Sequence, residues 1–178
     1  MEDLSLHILD IAENSINARA KNIEITLSDN EEGIMTLVIS DDGAGMNRES
    51  ASKVTDPFFT TRTTRRVGMG IPFLKEAAHA AEGELLIESV PSVGSKITAT
   101  FKKAHIDRKP FGNISETIVI LIAGNPTVDF KYNHFINGSK FTFDTKEIRE
   151  AFQDVPINST QVLSFIRQYL TENINRKI

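Results

Sequence analysis

Four polar side chains recur along the N-terminal segment at spacings of three, four and three: His7, Asp10, Asn14 and Asn17. At helical pitch such spacing lines them along one face. The Asn14 amide oxygen suits a hard cation such as Mg2+, which takes oxygen ligands and bridges substrate phosphates while keeping waters. Asp10, one turn earlier, is placed to polarise a water or a hydroxyl. A second cluster, Asp41-Asp42-Gly43-Ala44-Gly45-Met46, closes a strand-like run. A carboxylate there accepts a hydrogen bond from an exocyclic amine, and the two glycines let the backbone take positive φ and approach a flat ring. That chemistry suits adenine rather than guanine. A third cluster, Gly68-Met69-Gly70, opens a helical run after Arg62, Arg65 and Arg66. Free amides at a helix start attract phosphate, and arginines in a loop can close over it. Taken singly, each cluster also fits something plainer: a solvated helix face, a glycine turn, a basic loop.

The elements that must position these residues follow from periodicity. Asp3 to Ala18 has helical period, with Leu4, Ile8 and Ile11 on one stripe and Leu9, Ala12 and Ile16 beside it, opposite the polar line. IEITLSD and IMTLVISDD alternate as a hairpin that delivers Asp41 to a loop. Arg48 to Val54 suits a short helix, and DPFFTTRTTRRVG, with neither period, reads as a mobile loop. MGIPFLKEAAHAAE is a helix, and GELLIESV with SKITATFKK forms a second hairpin. Composition shifts at His105 to Asn113, the expected boundary between a unit at residues 1–104 and a small α/β extension at 105–178. In the extension Ser115 is placed to cap a helix running to Gly124, and two strands flank Asn137-Gly138. Thr145 to Phe152 and Ser159 to Ile174 read as helices, the latter with Val162, Phe165, Ile166, Tyr169 and Leu170 on one face.

Composition sets limits. The chain has 178 residues, 40% hydrophobic and 25% charged, with a net charge of −4, and so lacks the basic excess of a nucleic-acid binder. With no cysteine it has neither a disulfide framework nor a thiolate site. No apolar run approaches the roughly 20 residues of a membrane span, and the N-terminal segment is unlike a signal peptide. A cytoplasmic protein with no nucleic acid and no membrane as partner is expected.

In this order the clusters resemble the GHKL superfamily of histidine kinases, gyrase-type ATPases, mismatch-repair ATPases and anti-sigma-factor kinases. ILDIAENSINA resembles the family's N box, DDGAGM its G1 box, DPFFTTR its F box, VGMGIPFLKEAAHAAEG its G2 box and VGSKITATF its closing strand. The resemblance covers about Leu4 to Lys103. It implies an α+β fold, a two-layer α/β sandwich of Bergerat type with a mixed sheet and helices on one face, and ATP with Mg2+ as cofactors. It further implies Asn14 as the Mg2+ ligand, Asp41 as the adenine anchor, Gly43 and Gly45 as the ring-facing turn, and Gly68, Met69 and Gly70 on the phosphate side. Met46 and Phe59 would border the base or lid, Thr61 and Arg62 would belong to the lid, and Ser95 would reach the adenine through water. Phe58 reads better as a core aromatic.

At the position four before the metal asparagine, histidine kinases often carry Asn and ATPases or serine-directed kinases Glu; here it is Asp10, the candidate catalytic residue. Asn17 stands where many kinases have a basic residue. With only a few residues before the first helix, no dimerising hairpin with a phosphoacceptor histidine is expected; His7 and His79 are poor acceptors, and His105 and His134 lie in linker and extension without a motif. The expected activity is therefore transfer of the γ-phosphate to a Ser or His on a separate partner protein. An ATPase or nucleotide-switched binding module is the alternative. A homodimer and a docking role for the extension also remain open.

Overall fold

The computed structural model describes residues 2–55 and 70–174. Helix α1 (Leu4–Asn17) starts where the Asp3 carboxylate accepts the Leu6 N–H at 3.1 Å, satisfying one of the free amides of the first turn. Its buried stripe contains Leu4, Ile8, Ile11 and Ala12. His7 joins that stripe at 1% exposure, so it leaves the polar face on which its spacing from Asp10 placed it. Its distances of three from Leu4 and four from Ile11 are equally helical, and packing selects that side.

Strands β1 (Asn22–Asp29) and β2 (Ile34–Asp41) form the first hairpin, burying Ile23, Ile25 and Leu27 against Met35, Leu37 and Ile39 by strict alternation. Helix α2 (Arg48–Lys53), capped by Asn47, precedes helix α3 (Gly70–Ala80), strand β3 (Leu85–Val90) and strand β4 (Gly94–Lys102). Then come α4 (Ile114–Gly124), β5 (Asp129–Phe135), β6 (Phe141–Asp144), α5 (Thr145–Phe152) and α6 (Thr160–Ile174). The cap of α4 is Asn113, whose side chain accepts the Glu116 N–H at 3.0 Å, while Ser115 is buried one residue inside the helix. Val162, Ile166 and Leu170 of α6 are buried, but Phe165 and Tyr169 stay 45% and 38% exposed, stacked on each other at 6.0 Å.

One six-stranded sheet runs in the order β3-β4-β2-β1-β5-β6. All neighbours are antiparallel except β1 and β5, which are parallel. Helices α1, α3, α4 and α6 cover one face, α1 touching both α3 and α4, and α4 touching α6. This is the mixed-sheet, two-layer α+β architecture of the Bergerat type. The elements after residue 105 continue the same sheet and helix layer. Asn133 of β5 donates to Glu24 Oε1 at 2.7 Å and Thr26 Oγ1 at 3.0 Å of β1. The Lys103 ammonium pairs with Asp29 and donates to Asn137, tying the end of β4 to the end of β1 and to the turn between β5 and β6. Pro110 and Phe111 carbonyls accept the Leu4 and Ser5 amides at 2.9 and 3.0 Å, so the connecting segment closes the N-terminal end of α1. Gly112 is required there: at φ +70° a Cβ would lie 2.3 Å from the Asp3 carboxylate.

Both ring nitrogens of His7 are buried without a hydrogen-bond partner among the described residues. Burial, helped by the positive chain terminus and Lys109 and opposed by Asp3, lowers its pKa to about 4. The native state thus favours neutral His7, and the unfolded chain binds the proton first as pH falls. Its stabilising contribution is full above pH 6.5 and declines towards pH 4. Chemical denaturation measured from pH 7.5 to 4 should show stability falling across that window, and His7→Leu should flatten the decline between 6.5 and 4. An unchanged slope in the variant would refute this assignment.

Candidate functional site

The site forms where α1, the end of β2 and the start of α3 meet. Asp41 ends β2 on the inner side of the sheet, in phase with Ile39. Its Oδ2 accepts the Ser15 hydroxyl at 2.7 Å and its Oδ1 accepts the Gly43 N–H at 2.9 Å. Ser15 has one proton, and the Ile11 carbonyl stands farther off at 3.3 Å, so the proton goes to the carboxylate. An ionised carboxylate has about four acceptor positions, and these two bonds leave room for an amine. The orientation of Asp41 is therefore fixed before any ligand arrives.

The neighbouring Asp42 has a different task. It accepts the Lys21 and Asn22 amides at 2.7 and 2.9 Å and the Asn22 side chain at 2.7 Å. Burial pushes its carboxyl up, but the bonds from Asn22 and Lys21 outweigh burial and hold it below the ordinary carboxylate range. Asp42 is thereby committed to joining the start of β1 to the end of β2.

After Asp41 the chain turns through residues 43–46. Gly43 is packed so that a Cβ would lie 2.9 Å from both the Ala18 carbonyl and Asp41 Oδ1. Gly45 takes φ +63°, and a Cβ there would fall 2.0 Å from the Val90 carbonyl. Ala44 donates to the Ala18 carbonyl at 2.8 Å and accepts from Ser92 at 2.7 Å, and the Met46 N–H donates to Ser89 Oγ at 2.7 Å. The turn is thus held between the end of α1 and the β3–β4 hairpin. Ser95 pairs with Asp41 in the strand register, and its Oγ lies 2.8 Å from Ser89 Oγ.

Asp10 and Asn14 are both half-buried on α1. Gly70, the first residue of α3, lies against Asp10: a Cβ there would be 2.9 Å from Asp10 Cβ and 3.3 Å from its Oδ2. Asn17, one turn beyond Asn14, is exposed and donates its amide to the Glu13 carbonyl at 2.7 Å. Among the sequence-derived site residues, Asp10, Asn14, Asp41, Gly43, Gly45, Met46, Gly70 and Ser95 fall on these adjoining elements. Phe58, Phe59, Thr61, Arg62, Arg65, Arg66, Gly68 and Met69 lie outside the described residues. Sequence reasoning missed Ser15 and Ser89. Their signal was a small hydroxyl in phase with apolar neighbours, Ser15 with Ile8 and Ile11, and Ser89 with Leu85 and Ile87.

Among the described residues no group of three or more His, Cys, Asp or Glu converges as a metal site. A single amide oxygen, Asn14, suits Mg2+ that is held mainly by phosphates and water.

The family described as histidine kinase-, DNA gyrase B-, and HSP90-like ATPase matches residues 2–105, and the chain belongs to it. Its ATP-binding domain is of the histidine-kinase-like class. The signal transduction histidine-protein kinase AtoS of Escherichia coli K12 is 30% identical over 98 residues, covering 55% of this chain and 16% of that protein. The heme sensor protein HssS of Staphylococcus saprophyticus is 32% identical over 82 residues, covering 46% of this chain and 18% of that protein. The chain thus spans less than a fifth of the length of these curated relatives. The fold is similar to the N-terminal domain of a DNA repair protein, with TM-score 0.56 and 14% identity over 88% of this chain and 59% of that one. It is also similar to the ATPase domain of Aquifex aeolicus MutL, solved with ADP, with TM-score 0.51 and 16% identity over 86% of this chain and 70% of that one. Both likenesses reach beyond residues 2–105 into the C-terminal elements.

Ser15→Ala should leave the fold intact and weaken ATP binding about three- to tenfold, the worth of one hydrogen bond to a charged partner's orientation. Calorimetric titration alongside a thermal melt checks this, and unchanged affinity would remove Ser15 from the site.

Proposed function

We propose that this protein is a regulatory kinase that transfers the γ-phosphate of Mg·ATP to a Ser or His on a separate partner protein. The observation that carries the reading is the placement of Asp10: a carboxylate one turn before Asn14, against the first residue of α3. In this reading Asp41 accepts the adenine amine, and Gly43, Gly45 and Met46 face the ring. Asn14 would hold Mg2+, which would neutralise phosphate charge. The start of α3 at Gly70 would direct its amides at the phosphates, the role the resemblance also gives to Gly68 and Met69. By the resemblance, Thr61, Arg62 and Phe59, which lie outside the described residues, would belong to the lid, and Ser95 would meet the base through water. Asp10 would take or orient the proton of an attacking Ser hydroxyl, or hold the ring N–H of an attacking His, while ADP leaves. The partner is a protein, in a cytoplasmic setting, with residues 105–178 as the extension that docks it or a second copy of the chain. No helix among the described residues is long and apolar enough to cross a membrane.

A second reading, an ATPase or nucleotide-switched binding module without phosphotransfer, has its own support. Helix α4 packs on α1, and Thr117 donates to the Ser5 carbonyl at 3.4 Å, so a shift of the nucleotide helix would be felt by the C-terminal elements.

Incubation with γ-labelled ATP and candidate partners distinguishes the two. The kinase reading expects label on the partner, reduced at least about a hundredfold by Asp10→Asn, the usual scale for general base catalysis, with ATP affinity retained. Label released only as inorganic phosphate, or partner capture that depends on nucleotide without transfer, would overturn it in favour of the second.

A further inference from the structure

The inner face of the sheet changes character at one row. Ile25, Ile39, Ile97 and Ile87 lie side by side across β1, β2, β4 and β3. The next row towards the turn reads Ile23, Asp41, Ser95 and Ser89. An apolar row gives way to a polar one at the strand ends beside the 43–46 turn, and Ser89 is its outermost member.

The Ser89 hydroxyl has three polar neighbours. Met46 N–H donates to it at 2.7 Å, the Gly94 carbonyl lies at 3.1 Å and Ser95 Oγ at 2.8 Å. A hydroxyl donates one hydrogen bond and accepts two. One arrangement satisfies all three contacts together: Ser89 donates to the Gly94 carbonyl and accepts from the Met46 amide and the Ser95 hydroxyl. That arrangement commits the Ser95 proton to Ser89 and leaves the Ser95 oxygen an acceptor beside Asp41. It also ties the last residue of the 43–46 turn to an edge strand. Gly94 is part of the same lock, since at φ +136° a Cβ would lie 1.9 Å from the Asp41 carbonyl.

We propose that Ser89 is a positioning residue for base recognition. It holds the 43–46 turn at Met46 and orients Ser95 as an acceptor, and so sets the preference for a purine bearing a 6-amino group over one bearing a 6-keto group. Ser89 acts through Met46 and Ser95. The inference rests on the reading of Asp41 as the adenine anchor.

The test compares Mg·ATP with Mg·ITP, which differs at the purine 6-position, by calorimetry on the full chain, with a thermal melt of each variant. The wild type should prefer ATP, and Asp41→Asn should abolish the preference. Ser89→Ala should lower ATP affinity about three- to tenfold with little change for ITP, narrowing the preference by the same factor. Ser89→Thr, which keeps the hydroxyl, should restore it. If Ser89→Ala weakens both nucleotides equally, or only lowers the melting temperature, the residue is merely structural and the inference fails while the Asp41 reading stands. If Asp41→Asn leaves the preference untouched, the anchor reading fails and takes this inference with it.

Discussion

Everything at the candidate site depends on the hydrogen bond between Ser15 on α1 and Asp41 at the end of β2. It is a point where α1 grips the sheet through polar atoms, at the end of a largely apolar interface. A carboxylate at such a half-buried position is favourable only when its charge is hydrogen-bonded. Ser15 and the Gly43 amide supply those bonds and set the direction in which the remaining lone pairs point. The same contact helps set the rotation of α1, the helix that carries Asp10 and Asn14.

That rotation is held from both sides. Helix α1 touches α3 on one flank and α4 on the other, and lies over β1 and β2 near the middle of the sheet. Strand β5 pairs with β1 beneath it, and the Pro110 and Phe111 carbonyls close its first turn. The C-terminal elements therefore support the nucleotide helix directly, through the sheet and through the helix layer. The shape of the 43–46 turn is then a local matter, decided by glycine positions at which any side chain would collide with backbone, Gly45 against Val90 and Gly94 against Asp41.

Much of this was legible in the sequence because it is local. Alternation defined the hairpins, the stripe of Leu4, Ile8 and Ile11 defined α1, and the order of the glycine clusters pointed to the family. What was not legible required partners distant in the chain. The parallel pairing of β1 with β5 joins Asn22 to Asp129, and neither strand carries a mark of the other. His7 belonged by spacing to both faces of α1, and only its burial in the folded chain resolved the choice. At α4, Asn113 took the cap by accepting the Glu116 amide, which left Ser115 inside the helix. Ser89 looked like one more polar residue in an edge strand until the turn at Met46 was placed over it.

The most direct test of the account is a 1H–15N correlation spectrum of the labelled protein titrated with Mg2+ and a non-hydrolysable ATP analogue. The account predicts the largest shifts at the amides of Gly43, Gly45 and Met46, at Asn14, and at Gly70. Shifts confined to residues 105–178, or none at saturating nucleotide, would contradict it.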